Sequence, residues 1–370
     1  MTNLVLYRKY RPQNFSDVVG QEHIIKTLTN AIASGMISHA YLFDGPRGTG
    51  KTTVARLLAK AINCQNLKGS EPCNKCSSCL EITNGQSMDL IEIDAASHRG
   101  IDDIRELREG IKFSPSKLKY KVFIIDECHQ LSKDASNALL KTLEEPPAHA
   151  IFILATTEIH KMIPTIISRC QRFDFRKLTV EEIIRRLETI VKAEKVKIEK
   201  AALELIAIYS GGSTRDAESL LDQVLTFGND SKKEIKAEDI KNLLGLVEVE
   251  IISQLVDFVF QKKPAQAINF LNEVLEKGID VSELIKAITN YLRQGLILKI
   301  TDVQENQSSI ITGLTKEEFQ NLKKQVASLS DQQIQKILNV FLEASGKIKY
   351  SPIPQLPIEL AIIESIESLS

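Results

Sequence analysis

The chain has 370 residues, 43% of them hydrophobic and 26% charged, with no Trp and a formal net charge of -1. That near-neutral balance excludes a protein that coats nucleic acid through bulk positive charge, although a local basic patch stays open. The longest apolar runs, such as residues 150–155, are far too short to cross a bilayer. A cytoplasmic protein of two or three cores, with no membrane partner, is therefore expected.

The first half alternates short apolar runs with amphipathic stretches, the pattern of a parallel α/β sheet. Predicted strands cover 40–44, 90–94, 122–126, 151–156 and 172–175. The first runs into Gly45-Pro46-Arg47-Gly48-Thr49-Gly50-Lys51-Thr52, followed by Thr53, which matches the phosphate-binding loop pattern. Glycines there let backbone N–H groups approach phosphate oxygens. Lys51 is placed to neutralise charge and Thr52 to bind magnesium, and the helix predicted over 52–62 turns its N-terminus to the same point.

Directly after that helix come Cys64, Cys73, Cys76 and Cys79, spaced C-x8-C-x2-C-x2-C. Tight C-x2-C turns let thiolates converge on one tetrahedral ion, and four of them close its coordination sphere, so a structural zinc is expected. This spacing also allows an iron–sulfur cluster. The first ten residues carry no apolar signal segment, which argues for thiolates over disulfides. Cys128 and Cys170 stand apart and are expected as buried small apolar residues.

Further along, 102–112 reads as an amphipathic helix and Ser132 as the cap of a helix that Glu144-Glu145-Pro146-Pro147 ends. Between them, four apolar residues deliver Asp126 and Glu127, suited to a magnesium shell and to activation of an attacking water. Asp126-Glu127-Cys128-His129 also spells a helicase-type box, but such helicases need a second motor domain. After residue 178 only helical periodicity follows, so His129 is expected to be structural. Thr179-Val180-Glu181-Glu182 opens a helix with a capping-box-like start. In Gly211-Gly212-Ser213-Thr214-Arg215 the glycines end one helix and Ser213 caps the next. Arg215 then sits at the unfavourable end of a helix dipole, which a phosphate would offset. An all-helical segment fills the rest, with a polar break near 301–307.

The segments around these features are Leu6-Tyr7-Arg8-Lys9-Tyr10-Arg11-Pro12, Val18-Val19-Gly20-Gln21, Asp94-Ala95-Ala96-Ser97, residues 137–147, Leu154-Ala155-Thr156-Thr157 and Ser168-Arg169-Cys170. Together with the phosphate loop, the cysteines and Asp126-Glu127, they resemble the AAA+ clamp-loader ATPases that serve bacterial DNA polymerase III. The resemblance implies an α/β core over 1–178 with a zinc module at 63–80, a helical lid over 179–243 and an all-helical collar over 244–370. It implies ATP, Mg2+ and structural Zn2+ as cofactors. Thr157 would be the sensor of the γ-phosphate, Arg169 an arginine finger reaching ATP in a neighbouring subunit, and Arg215 the lid arginine. Tyr7, Arg8 and Arg11, with Val18 and Val19, would border adenine and ribose.

The implied activity is ATP-driven opening of a sliding clamp and its loading on primer–template DNA. Partners would be the other subunits of a five-membered ring, the clamp and the DNA, with Arg99 and Lys141 as candidate DNA contacts. A non-hydrolysing scaffold subunit of the same ring, or another AAA+ DNA motor, are the competing readings. The intact Lys51, Thr52, Asp126 and Glu127 favour hydrolysis over the first. The four cysteines count against the second. Because the chain stops at Ser370, it is expected to be a short product or a fragment, without the helicase- and polymerase-binding domains of the family's longer form.

Overall fold

Five strands form one parallel sheet in the order β2-β3-β4-β1-β5: β1 Ala40–Asp44, β2 Leu90–Asp94, β3 Lys121–Asp126, β4 Ala150–Thr156 and β5 Gln171–Asp174. All five predicted strands are present, with boundaries displaced by no more than one residue. This computed structural model describes residues 4–97, 110–111, 113–227, 234–243, 245, 247–301 and 315–369. Arg99, most of the helix expected over 102–112 and residues 302–307 of the polar break lie outside them.

The three central strands β3, β4 and β1 are buried on both faces because they are apolar at almost every position, as parallel strands covered on both sides require. The edge strands β2 and β5 carry polar residues and are partly exposed. Tyr41, Phe43, Val122, Ile124, Ile151, Ile153 and Phe173 face one core. Their alternates Leu42, Phe123, Ile125, Phe152 and Leu154 face the other. The pairings Asp44 with Thr156, Asp44 with Asp174, and Asp94 with Asp126 align the carboxyl ends of the strands along one rim. Ligands of open α/β sheets bind outside that rim.

The helices of this unit are α1 Leu6–Lys9, α2 Glu22–Ser34, α3 Lys51–Ile62, α4 Ser77–Thr83, α5 Lys133–Glu144, α6 Pro164–Ile167, α7 Val180–Glu194, α8 Lys200–Tyr209 and α9 Thr214–Phe227. Helix α1 has no counterpart in the sequence reading, because four residues are too few to display a helical period. Ser132 caps α5 by accepting from the Ala135 N–H, and Thr179 and Glu182 close a reciprocal capping box on α7. Glu182 also takes the Arg176 guanidinium at 2.6 Å and 2.8 Å, which holds its carboxyl down at about 2. The α8–α9 turn uses Gly211 and Gly212 at φ 59° and 91°, and Ser213 Oγ accepts from the Asp216 N–H.

The chain divides by contacts into Met1–Lys236 and a second unit, Ala237–Ser370. Among the described residues the second unit is helical throughout: α10 Ala237–Leu243, α11 Val249–Phe260, α12 Pro264–Glu276, α13 Val281–Thr301, α14 Lys316–Ala327, α15 Asp331–Ile348 and α16 Leu356–Glu367. Ile285, Ile288, Leu292, Leu322, Ile337, Phe341 and Ile362 form its core. A buried polar network crosses that core, from Tyr291 Oη to Gln325 Oε1 at 2.7 Å and from Gln325 Nε2 to Ser253 Oγ at 2.8 Å. Such fully paired groups fix one packing arrangement. No described helix is long and apolar enough to cross a membrane.

Candidate functional site

Between β1 and α3 the chain wraps into a loop whose interior is made of backbone. Thr49 Oγ1 donates to Pro46 O at 2.9 Å, and Lys51 Nζ donates to Gly45 O and Pro46 O at 2.6 and 2.8 Å. Lys51 is only 5% exposed, and burial pulls its ammonium below the usual lysine range while the Glu127, Asp126 and Asp44 carboxylates act in the opposite sense. Two glycines are required here. A Cβ on Gly45 would lie 2.3 Å from Phe175 O, and one on Gly48 only 1.9 Å from Ser213 Oγ, with φ at 146° and 75°. Gly48 O accepts from both the N–H and the Oγ1 of Thr214, so α9 is fastened to the loop by its first residue.

Opposite the loop stand the ends of β3 and β4. Thr52 Oγ1 donates to Asp126 Oδ2 at 2.7 Å, which joins the start of α3 to the end of β3. The Glu127 N–H caps Asp126 Oδ1 at 3.0 Å, and Glu127 itself adopts φ 47°. A left-handed glutamate is uncommon, and such conformations concentrate at functional sites. Thr157 Oγ1 donates to Glu127 Oε2 at 2.9 Å. Beneath them His129, with its side chain 4% exposed, pairs through Nδ1 with Thr156 Oγ1 at 2.9 Å and through Nε2 with Glu158 Oε2 at 3.1 Å. His129 is thus structural, as expected, and it ties the Glu127 turn to the end of β4.

These groups border a cleft of about 440 Å³. Of the residues expected to bind nucleotide, Tyr7, Arg8, Arg11, Val18 and Val19 line it, as do the loop residues Arg47, Gly48, Thr49, Gly50, Lys51, Thr52 and Thr53. Asp126, Glu127 and Arg215 line it too. Gly45 and Pro46 lie behind it and take part through their carbonyls, and Thr157 reaches it through Glu127. Arg215 places its guanidinium 4.9 Å from the centre of the Tyr7 ring, and that contact depresses the Tyr7 hydroxyl. Arg169 lies elsewhere, between α6 and β5, paired with Glu144 Oε1 at 2.6 Å.

Spacing did not disclose several cleft residues. Arg186 on α7 pairs with Glu218 on α9 at 2.7 Å, with side chains 11% and 7% exposed. Burial raises the Glu218 carboxyl, with Arg186 opposing that rise. Glu218 lies three residues after Arg215, so helical spacing offered a signal for it; nothing in the sequence offered one for Arg186. Arg56 and Glu92 close a second ion pair at the cleft, at 2.5 Å.

The four cysteine sulfurs gather behind α3, all within 4.8 Å of one another. A tetrahedron of Zn–S bonds has edges of about 3.8 Å, so the donor set fits zinc, and four thiols complete its shell. Backbone N–H groups of Lys75 and Cys76 bring the Cys73 thiol down to about 6, whereas burial pushes Cys64 and Cys79 up. Cys128 is buried, as expected, but Cys170 is only half-buried. It lies just before β5, an edge strand, and burial still pushes its thiol up to about 12.

Family models match three successive stretches of the chain. They are the DNA polymerase III delta subunit over residues 20–179, the ATPase lid domain of the DNA polymerase III clamp loader subunit over 182–230, and domain III of DNA polymerase III subunits gamma and tau over 235–370. Among curated proteins, DNA polymerase III subunit tau of Bacillus subtilis is 46% identical over 98% of this chain and 63% of its own length. DNA polymerase III subunit gamma of Buchnera aphidicola, from Acyrthosiphon pisum, is 35% identical over 100% of both chains. This chain thus spans about three-fifths of the tau relative. The RuvB Holliday junction branch migration motor of Thermotoga maritima superposes at a TM-score of 0.47 and 21% identity, over 68% of this chain and 79% of that one. That overlap is too loose to bear on function.

Proposed function

The chain belongs to the family of DNA polymerase III subunits gamma and tau, and from that premise we propose that it is the ATP-hydrolysing motor subunit of a bacterial clamp loader. One observation carries the reading. Thr52 of the phosphate loop is hydrogen-bonded to Asp126 at the end of β3, and beside it Glu127 is hydrogen-bonded to Thr157, so loop, acidic pair and threonine form one connected set at the cleft. A scaffold subunit that does not hydrolyse has no need of that complete set.

In this reading the loop amides and Lys51 hold the β- and γ-phosphates, while Tyr7, Arg8, Arg11, Val18 and Val19 border the base and sugar. Thr52 and Asp126 hold magnesium, which when bound neutralises charge developing on the phosphates. Glu127 orients the attacking water and takes its proton, and Thr157 fixes the carboxylate that does so. Arg215 comes to the phosphates from α9, so α7, α8 and α9, within the lid expected over residues 179–243, act as a lid on the α/β core of residues 1–178. Arg169 serves the ATP of a neighbouring subunit in a five-membered ring assembled through residues 244–370, and its distance from the cleft of its own chain suits that role. Cys64, Cys73, Cys76 and Cys79 hold a structural zinc. The partners are other loader subunits, the sliding clamp and primer–template DNA in the cytoplasm, with Lys141, exposed on α5, as a DNA contact.

ATP turnover of the assembled loader, measured with and without clamp and primed DNA, tests the proposal. Wild-type rates should rise when both are present, and the variant K51A should show neither binding nor turnover. Equal, unstimulated turnover by wild type and K51A would remove the motor reading.

A further inference from the structure

The cysteine knot is joined to the nucleotide cleft by a specific set of hydrogen bonds. Residues 12–19 run as a strap from α1, through a 3-10 turn at Phe15–Asp17, to Val18 and Val19 at the base end of the cleft. The two side chains that hold this strap flank Cys73. Glu71 accepts the Phe15 N–H at 2.7 Å on one carboxylate oxygen and the Ser16 N–H at 2.9 Å on the other. Asn74 Nδ2 donates to Asn14 Oδ1 at 2.7 Å and to Gln13 O at 3.3 Å. From α3, Lys60 Nζ adds a bond to Gln13 Oε1 at 2.8 Å.

These contacts are directed rather than incidental. The first N–H groups of a helical turn have no partner of their own, and a carboxylate that accepts two of them makes strong, charge-assisted bonds. Asn74 sits at φ 56° inside the Cys73–Cys76 turn, so the conformation of that turn aims its amide. Its Oδ1 is buried with no hydrogen-bond partner among the described residues, so the bonds of its amide to the strap run through Nδ2. The turn in turn depends on sulfur positions: the Cys76 N–H points to Cys73 Sγ and the Cys73 N–H to Cys64 Sγ, both at 3.3 Å. Phe15, 1% exposed, anchors the middle of the strap in the core under α2 and α3.

We propose that the metal knot tunes nucleotide affinity, with Glu71 and Asn74 as positioning residues that transmit the state of the four thiols to the strap bordering the cleft. The inference rests on the reading of the cleft as a nucleotide site. Loss of the metal would free the Cys73 turn, release the strap and loosen the base end of the cleft, while the phosphate end stays intact. The predicted signature is weaker binding with unchanged turnover at saturating ATP.

The test uses the full chain, with ATP and magnesium titrated against wild type, E71A, N74G and the double variant, and zinc content and amide exchange at Phe15 and Ser16 followed in each. Glycine at position 74 keeps the left-handed turn and removes only the amide. Each single variant should weaken Kd by about three- to tenfold and speed exchange at the strap, with one zinc per chain retained. Stripping zinc from wild type should weaken Kd by a similar factor, and stripping it from the double variant should add little. If zinc removal unfolds the protein, the variants decide alone. Unchanged Kd in E71A and N74G, whether or not exchange at the strap accelerates, overturns the coupling. A wild type that binds no nucleotide would instead overturn the reading of the cleft itself, whereas binding abolished in K51A and unaltered in E71A isolates the failure to this inference.

Discussion

Thr157 Oγ1 donates to Glu127 Oε2 at 2.9 Å, so the residue that follows β4 holds a rim carboxylate whose backbone is left-handed. Glu127 has few other restraints: its side chain is 30% exposed, and His129 Nδ1 lies 3.5 Å from the same oxygen. T157V keeps the shape of the threonine and deletes the donor. Turnover at saturating ATP should fall about 10- to 100-fold, because a misdirected base loses the usual gain of a positioned one. Nucleotide Kd should move less than about threefold, since the loop contacts are untouched. Steady-state kinetics beside a binding titration separates the two, and an equal loss in both would show that Thr157 serves binding instead.

Gly48 is the point where the loop and α9 meet most closely. A Cβ there would fall 1.9 Å from Ser213 Oγ in a backbone conformation at φ 75°. G48A must therefore displace the Ser213–Arg215 turn and break the Thr214 bonds to Gly48 O. The expected cost is about 1–3 kcal/mol of stability, with nucleotide affinity lowered at least about tenfold because Arg215 moves with the turn. Thermal melts with and without ATP check this. Unaltered ligand-induced stabilisation would show that the loop tolerates the methyl by opening away from α9.

The sheet and the phosphate loop were legible because their signals are local. Four apolar residues before Asp126, and the glycine pattern before Lys51, need no knowledge of the rest of the chain. The four cysteines were legible for the same reason. What spacing could not disclose is contact over long separations, and the cleft is rich in it. The Arg186–Glu218 pair, the grip of Thr214 on Gly48 O and the hold of Glu71 on the strap all join residues more than 30 positions apart. The half-buried Cys170 belongs to the same class, because it lies in the connection that leads into the edge strand β5, a position only the folded sheet defines.

Arg169 offers a sharp separation between binding and hydrolysis. Its pairing with Glu144 joins side chains 33% and 49% exposed, and an exposed pair of that kind contributes little to stability. R169A should therefore fold and bind ATP as wild type does. In the assembled ring its turnover should fall about 10³-fold, the scale on which an arginine donated in trans acts. Mixing R169A with a hydrolysis-dead E127Q subunit tests the direction of the donation. Activity restored at interfaces where an intact Arg169 faces an intact Glu127 supports action across subunits, and wild-type activity of R169A alone would exclude it.

Glu182 carries a pH dependence whose sign follows from its partners. Arg176 and the Thr179 N–H hold its carboxyl at about 2, against 4.5 for an unhindered glutamate. A carboxyl depressed on folding binds its proton more readily in the unfolded chain, so its contribution is complete above about pH 5 and fades as pH falls toward 2. With the Glu182 side chain 8% exposed but Arg176 43% exposed, solvent screening reduces the contribution at neutral pH to about 1–2 kcal/mol. E182Q should lower the melting temperature of the unit containing α7 by about 2–8 °C at pH 7 and converge on wild type near pH 2. Melts across pH 2–7 check the convergence, and a difference that stayed constant over that range would assign the loss to packing against Gly20, whose backbone lies close to the Glu182 carboxylate.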